Sequence, residues 1–305
     1  LYDNLSKRVS LKGSKSIKFG ADSELVPEIK KGFEYSDAKV SDTRLTLLNA
    51  VSARNKGATI KTRTKCVKAT TQDGLWRLSL LDQLTGEQYQ VQARTLVNAA
   101  GPWVDKLINV VDTDKTTDSI RLVQGSHIVV PKVTDQSHAY ILQNSDGRIV
   151  FILPYENDFN LIGTTDLDYE GDPSQAKITD GEIEYLIEIT NQYLNKKITR
   201  SDIVHTYCGV RPLLQDEAEN AQKATRDYTL ELHQSDTSAP LLTIYGGKIT
   251  TYRKLSEAAV NKLADLFPEH PSLQPWTKNA PLPGGDFDDK EVFATSIRNE
   301  FPWLP

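Results

Sequence analysis

One short stretch restricts this chain more than any other. Gly246-Gly247-Lys248-Ile249-Thr250-Thr251 lies between the apolar run Leu241-Leu242-Thr243-Ile244-Tyr245 and residues 251–267, whose pattern predicts a helix. Paired glycines remove the Cβ that would keep a backbone from closing on a neighbour. A strand that delivers them to a helix start aims backbone N–H groups and the positive dipole end at an anion or an electron-rich ring. Lys248, at the tip, adds a mobile positive charge. An ordinary strand-to-helix turn has the same sequence, so the rest of the chain has to decide.

A second stretch has the same character. Leu96-Val97-Asn98 is an apolar strand that ends in Ala99-Ala100-Gly101-Pro102-Trp103. Proline suits a first helical turn, where its missing N–H is not needed. Small residues at a strand's carboxyl end leave room for a ligand, which is where open α/β sheets bind cofactors. Close packing of a helix on a sheet would use the same residues.

Between these stretches the pattern alternates. Asp42 reads as the N-cap of a helix to about residue 56, with Leu45, Leu47, Leu48 and Val51 as its apolar stripe and Gly57 at C′. Residues 59–70, 75–81 and 89–97 read as strands, with a turn at Gly86-Glu87. Residues 121–131, 139–143, 148–154 and 160–165 read as antiparallel sheet. Thr179-x-x-Glu182 is a capping box for a helix to about 196, structural in role. Residues 203–207 form a strand that ends toward Gly209-Val210-Arg211-Pro212, and 227–233 with 239–245 form a hairpin. The proline-rich 269–283 is a linker.

Of 305 residues, 38% are hydrophobic and 25% charged, which suits a globular chain of two domains. The net charge of −5 gives no overall pull toward nucleic acid. Cys66 and Cys208 make neither a disulfide framework nor a metal cluster, so no metal is expected. There is no methionine, and the chain opens in mid-pattern at Leu1-Tyr2-Asp3. We therefore expect a piece of a longer protein.

Among the histidines, His138, His233 and His270 sit in polar contexts and read as solvated, and His205 reads as a core residue. His127, in Gly125-Ser126-His127-Ile128-Val129-Val130-Pro131, opens an apolar strand behind a glycine. There its imidazole could face a cavity and take a proton from an alcohol. Arg211, placed at an apolar strand end, needs a carboxylate or an anionic ligand. With Arg226 and Lys248 it makes three cations near strand ends, suited to phosphate or carboxylate. Surface ion pairs would account for them equally well.

Eight stretches in order resemble the flavin-dependent glycerol-3-phosphate dehydrogenases. They are Lys31-Gly32-Phe33-Glu34-Tyr35-Ser36-Asp37, the Leu96–Val104 run, Gly125 to Pro131, and Ile162-Gly163-Thr164-Thr165-Asp166. Tyr207-Cys208-Gly209-Val210-Arg211-Pro212-Leu213, Thr225-Arg226-Asp227-Tyr228, the Gly246-Gly247 stretch to Lys254, and Leu282-Pro283-Gly284-Gly285 complete the set. The resemblance implies a mixed α/β flavoprotein fold. Its discontinuous FAD domain would use 37–108 and 241–275. An antiparallel-sheet substrate domain would use 1–36 and 109–240, with 276–305 a linker and the start of a cap domain.

It further implies oxidation of sn-glycerol 3-phosphate to dihydroxyacetone phosphate, with FAD as hydride acceptor, quinone as electron acceptor and peripheral attachment to the cytoplasmic face of the membrane. A homodimer is an allied expectation. On this reading Asn98, Ala99, Gly101, Pro102, Trp103, Gly246, Gly247, Lys248 and Thr250 contact FAD. Arg211, Arg226 and Lys248 hold the phosphate, and His127 with Arg211 acts at the reacting carbon. The family's Gly-x-Gly-x-x-Gly turn does not occur here, so these 305 residues alone are expected to hold FAD poorly and to be inactive. Two other readings stand beside it: an amino-acid-oxidising flavoenzyme of the same fold, which would need one carboxylate-binding arginine, and a non-catalytic binding module.

Overall fold

The computed structural model describes residues 12–111, 120–135, 137–214, 227–235, 238–269 and 275–303. The chain divides into two compact units. The first comprises 1–38, 97–231 and 243–246; the second 39–96, 232–242 and 247–305. The whole is the mixed helix and antiparallel-sheet fold expected of an FAD-linked oxidoreductase.

In chain order the strands are β1 (Lys15–Lys18), β2 (Lys31–Glu34), β3 (Thr64–Gln72), β4 (Leu75–Asp82), β5 (Gln88–Ala93), β6 (Leu96–Asn98) and β7 (Ile120–Pro131). They continue as β8 (Tyr140–Gln143), β9 (Ile149–Tyr155), β10 (Phe159–Gly163), β11 (Leu167–Asp168), β12 (His205–Leu214), β13 (Tyr228–Ser235) and β14 (Ser238–Gly246). The helices are α1 (Asp42–Asn55), α2 (Val104–Ile108), α3 (Asp180–Tyr193), α4 (Tyr252–Leu263) and α5 (Lys290–Glu300).

The first unit is organised on β7. Along one edge it pairs antiparallel with β12, from His205↔Val129 to Leu214↔Ile120. Along the other it pairs with β10 and, further back, with β11. β9 and β8 extend the sheet beyond β10. Alternation then divides the side chains between two faces. Ile128, Val130, Val150, Ile152, Ile162 and Leu142 form one face, and α3 covers it with Ile183, Leu186 and Ile189. Each such side chain contributes roughly 1.5–3 kcal/mol by leaving water.

α3 begins as expected. Thr179 caps it, its hydroxyl accepting from the Glu182 N–H at 3.2 Å while Glu182 reaches back to the Thr179 N–H at 2.8 Å. It ends where Leu194 turns extended and bridges Leu25.

In the second unit β3, β4 and β5 form an antiparallel sheet. Its core holds Ala69 and Trp76, whose indole N–H donates to the Pro240 carbonyl at 2.7 Å. α1 departs from expectation in two ways. Its N-cap is Ser41, whose hydroxyl accepts from the Arg44 N–H, and Asp42 is the first helical residue. None of its residues is buried, and Leu47 of the expected stripe is 60% exposed. Gly57 sits at C′ with φ +96°, as a helix end requires.

Strand limits also move. β3 starts at Thr64 because Arg63 takes a left-handed φ of +52°. The expected 89–97 strand splits into β5, which pairs with β4, and β6, which joins β14. β12 does not stop before Gly209 but continues to Leu214. Pro212 is tolerated inside it because, among the described residues, β12 pairs with β7 alone, and the other side needs no N–H.

Candidate active site

The face of the β7 sheet turned away from α3 carries different residues. Odd positions of β7, Arg121, Val123, Gly125 and His127, stand beside Leu213, Arg211, Gly209 and Tyr207 of β12. His127 lies directly opposite Tyr207 and, on the other edge, opposite Gly163. Its imidazole stacks on the phenol ring with centroids 5.2 Å apart and planes 18° from parallel. It also fills the place of the Gly163 side chain: a Cβ there would meet His127 Cδ2 at 2.2 Å. His127 is thus in mid-strand and half-buried, not at the strand's start.

Arg211 is bedded in the same way. Its guanidinium crosses diagonally over Gly125, where a Cβ would meet Nη2, Nη1 and Cζ at 2.4 to 2.6 Å. Nη1 donates to Asp166 Oδ1 at 2.8 Å, and Nη2 donates to the Thr164 hydroxyl at 2.9 Å. Arg211 therefore lies within a strand and faces a carboxylate, not at a strand end. Next to it a Cβ on Gly209 would meet nothing within 4 Å, so the surface between Tyr207 and Arg211 is open. A proton-accepting ring and a guanidinium occupy neighbouring positions on one sheet face, each held by a glycine on the adjoining strand.

The two glycine turns are shaped differently. β14 enters its turn at Gly246, with φ +69°, where a Cβ would stand 2.7 Å from the Asp227 carbonyl oxygen. Only glycine satisfies both conditions. Gly247 follows with φ +94°. Gly247, Lys248 and Thr250 belong to the second unit and are exposed. The Lys248 carbonyl accepts from the N–H and hydroxyl of Thr251, closing a 3-10 turn, and α4 starts only after that turn, at Tyr252.

At the other turn Asn98 is fully buried, and its amide is committed to the turn. Nδ2 donates to the Val104 carbonyl at 2.9 Å and Oδ1 accepts from the Ala100 N–H at 3.3 Å. Ala99 is exposed, Gly101 has φ +55° with open space above it, and Pro102 is the second residue of a 3-10 turn, Gly101–Trp103. Tyr245 of β14 packs on Val104 and Ile108, so the ends of β6 and β14 lie together in the first unit. Ala99 and the positive-φ glycines Gly101 and Gly246, at two neighbouring strand ends of the first unit, fit the edge of a flat ring system.

A strap ties these parts together within the first unit. Asp168 pairs with Arg121 through two bonds, of 2.5 and 2.7 Å, and the guanidinium holds its carboxyl below the usual range. Asp172 is held lower still by the Ser174 N–H, and then by the Lys106 ammonium, the Ser174 hydroxyl and the Trp103 indole. Lys106 Nζ stands 2.9 Å from it and Trp103 Nε1 3.4 Å. The sequence alone does not mark the strap as a site element; four acidic residues in 166–172, namely Asp166, Asp168, Glu170 and Asp172, are its one local signal.

The other histidines are placed otherwise than expected in two cases. His205 is exposed on the edge strand, not in the core, and His233 lies half-buried in β13 with its Nε2 shielded from solvent, not solvated. His138 is exposed, as expected, while His270 and Arg226 lie outside the described residues. No cluster of metal-ligating residues occurs among the described residues.

Comparison with known proteins gives the arrangement its family. A glycerol-3-phosphate dehydrogenase of Pseudomonas tolaasii is 52% identical over 290 residues, covering 94% of this chain and 55% of the relative. A D-erythritol 1-phosphate dehydrogenase of Brucella abortus is 44% identical over 310 residues, covering 100% of this chain and 61% of the relative. The X-ray structure of the glycerol-3-phosphate dehydrogenase from Bacillus halodurans complexed with FAD superposes with a TM-score of 0.75 at 28% identity, covering 90% of this chain and 53% of that one. The chain thus spans between half and two thirds of the length of these proteins. Residues 8–253 match the model of the FAD dependent oxidoreductase family, and to that family this chain belongs.

Proposed function

We propose that this chain is the substrate-binding and flavin-flanking part of an FAD-dependent dehydrogenase that oxidises sn-glycerol 3-phosphate at C2 to dihydroxyacetone phosphate. The observation that carries the reading is the pairing of His127 and Arg211 on glycine beds of one sheet face. The names of relatives at 44–52% identity supply the substrate class.

Arg211, with Arg226 and Lys248, would hold the phosphate, matching its charge with planar and point donors. His127 would accept the C2 hydroxyl proton at an imidazole nitrogen, with Tyr207 keeping the ring in plane. Arg211 would share in orienting the C2 oxygen. Loss of that proton frees C2 to release a hydride, for which bound FAD is the acceptor. Ala99, Gly101, Pro102, Trp103, Gly246, Gly247, Lys248 and Thr250 would border the flavin, and Asn98 would act by holding its turn in shape. Quinone is the proposed onward acceptor. Peripheral attachment at the cytoplasmic membrane face and a homodimer complete the reading; no described helix is long and apolar enough to cross a membrane.

Anaerobic addition of glycerol 3-phosphate to the FAD-loaded full-length protein should bleach the visible flavin band. A flavin that stays oxidised would remove this substrate. A second substrate is favoured by the relative named D-erythritol 1-phosphate dehydrogenase: a longer polyol phosphate would bleach the band faster than glycerol 3-phosphate.

A further inference from the structure

Glu182 is an unusual capping-box residue. Such glutamates ordinarily lie on the surface at a helix start, but this one is 3% exposed, between α3 and the sheet. Oε2 accepts from the Thr179 N–H (2.8 Å), the Thr179 hydroxyl (3.0 Å) and Gln124 Nε2 (2.8 Å). Oε1 accepts from the Thr165 hydroxyl at 2.5 Å. A buried carboxylate with four donors remains charged.

The Thr165 hydroxyl has one proton and donates it to Glu182, which leaves its lone pairs to accept the Ser126 N–H at 2.9 Å. The flanking residues point the other way. The Thr164 hydroxyl and the Asp166 carboxylate both take the Arg211 guanidinium, and Thr164 also donates to the Thr165 carbonyl at 3.0 Å. Three consecutive residues thus alternate across the sheet: one turned to the buried carboxylate, two to the guanidinium.

We propose that Glu182 is a positioning residue for Arg211, acting through Thr165 to hold the 164–166 segment in register with the guanidinium. This rests on Arg211 being a ligand of the substrate phosphate. The charge of Glu182 fixes the Thr165 hydroxyl, the hydroxyl fixes the segment, and the segment with the Gly125 bed leaves the guanidinium one place to lie. Half-satisfied polar networks lose their geometry, so removing either end releases the middle. A support of this kind separates a formed site from a loose one.

The test uses the FAD-loaded full-length protein. Glu182→Gln and Thr165→Val should each raise KM for glycerol 3-phosphate about tenfold with kcat changed much less, whereas Thr165→Ser, which keeps the hydroxyl, should stay within about twofold. In an Arg211→Ala background Glu182→Gln should add nothing to KM. Crystal structures of Glu182→Gln and Thr165→Val without substrate should show the guanidinium displaced from Thr164 and Asp166. A guanidinium that stays in place in both overturns the proposal, as does a KM effect of Glu182→Gln that survives loss of Arg211. Should Arg211→Ala itself leave KM unchanged, the phosphate reading fails and the crystal structures alone decide the positioning claim.

Discussion

The two faces of the β7 sheet are made by alternate residues of the same strands, and they solve opposite problems. Toward α3 the strands present Ile128, Val130, Ile152 and Ile162, all fully buried, and space is filled. On the other face β7 and β10 present Gly125 and Gly163, with Gly209 of β12 beside them, and bulk is withheld. Glycine inside a strand weakens it, by entropy and by lost packing. Here two of the spaces are taken by a neighbour's ring or guanidinium, so the strand that lacks a side chain borrows one. Backbone rigidity comes from the filled face and chemical placement from the emptied one.

That division is open to measurement. The largest effect should come from the filled face: Leu186→Ala should cost about 2–5 kcal/mol of stability in denaturant titration and leave KM for glycerol 3-phosphate unchanged. A parallel rise in KM would mean that the faces are not separable. Next is Gly163→Ala, whose methyl must push the His127 ring aside. Turnover should fall roughly 100-fold, about 2.7 kcal/mol of barrier, with a smaller loss of stability than Leu186→Ala causes. Activity within threefold of the parent would remove His127 from the mechanism or show the bed to be soft.

Gly125→Ala should act more mildly, because it meets the far end of a flexible side chain. KM should rise about tenfold, with kcat and the unfolding midpoint nearly unchanged. The smallest effect is one of pH. Burial works against the Glu182 charge, but the hydroxyl of Thr165 and the further donors outweigh it, so the folded carboxyl sits below its ordinary range. A depressed carboxyl stabilises the fold above the unfolded value of ~4.3 and loses that contribution as pH falls toward the folded one. Melting temperature should drop more steeply below that value in the parent than in Glu182→Gln, and matching slopes would contradict the assignment.

Local chemistry was legible in the sequence; the partners were not. The α3 capping box, the β13–β14 hairpin, the glycine at C′ of α1 and the four-strand antiparallel run all follow from neighbours a few residues apart. Its apolar setting shows that Arg211 needs a partner, but Asp166 lies 45 residues away and the Gly125 bed depends on register. His205 reads as buried from its strand, yet β12 proves to be an edge, and edges are decided by pairing over long separations. From sequence α3 reads as structural for the same reason: Glu182 has a local role, which the motif shows, and a distant one with Gln124 and Thr165, which only the packed sheet reveals.

The placement of Trp76 gives the second unit an optical signature of its own. The chain has four tryptophans: Trp76 is 1% exposed, whereas Trp103, Trp276 and Trp303 are 39%, 57% and 76% exposed. With its indole N–H bound to Pro240 and its ring in an apolar core, Trp76 should emit toward the blue and resist acrylamide, which quenches the other three. Under quencher the remaining fluorescence therefore reports the integrity of the β3–β4–β5 core, free of any signal from the unit that carries His127 and Arg211.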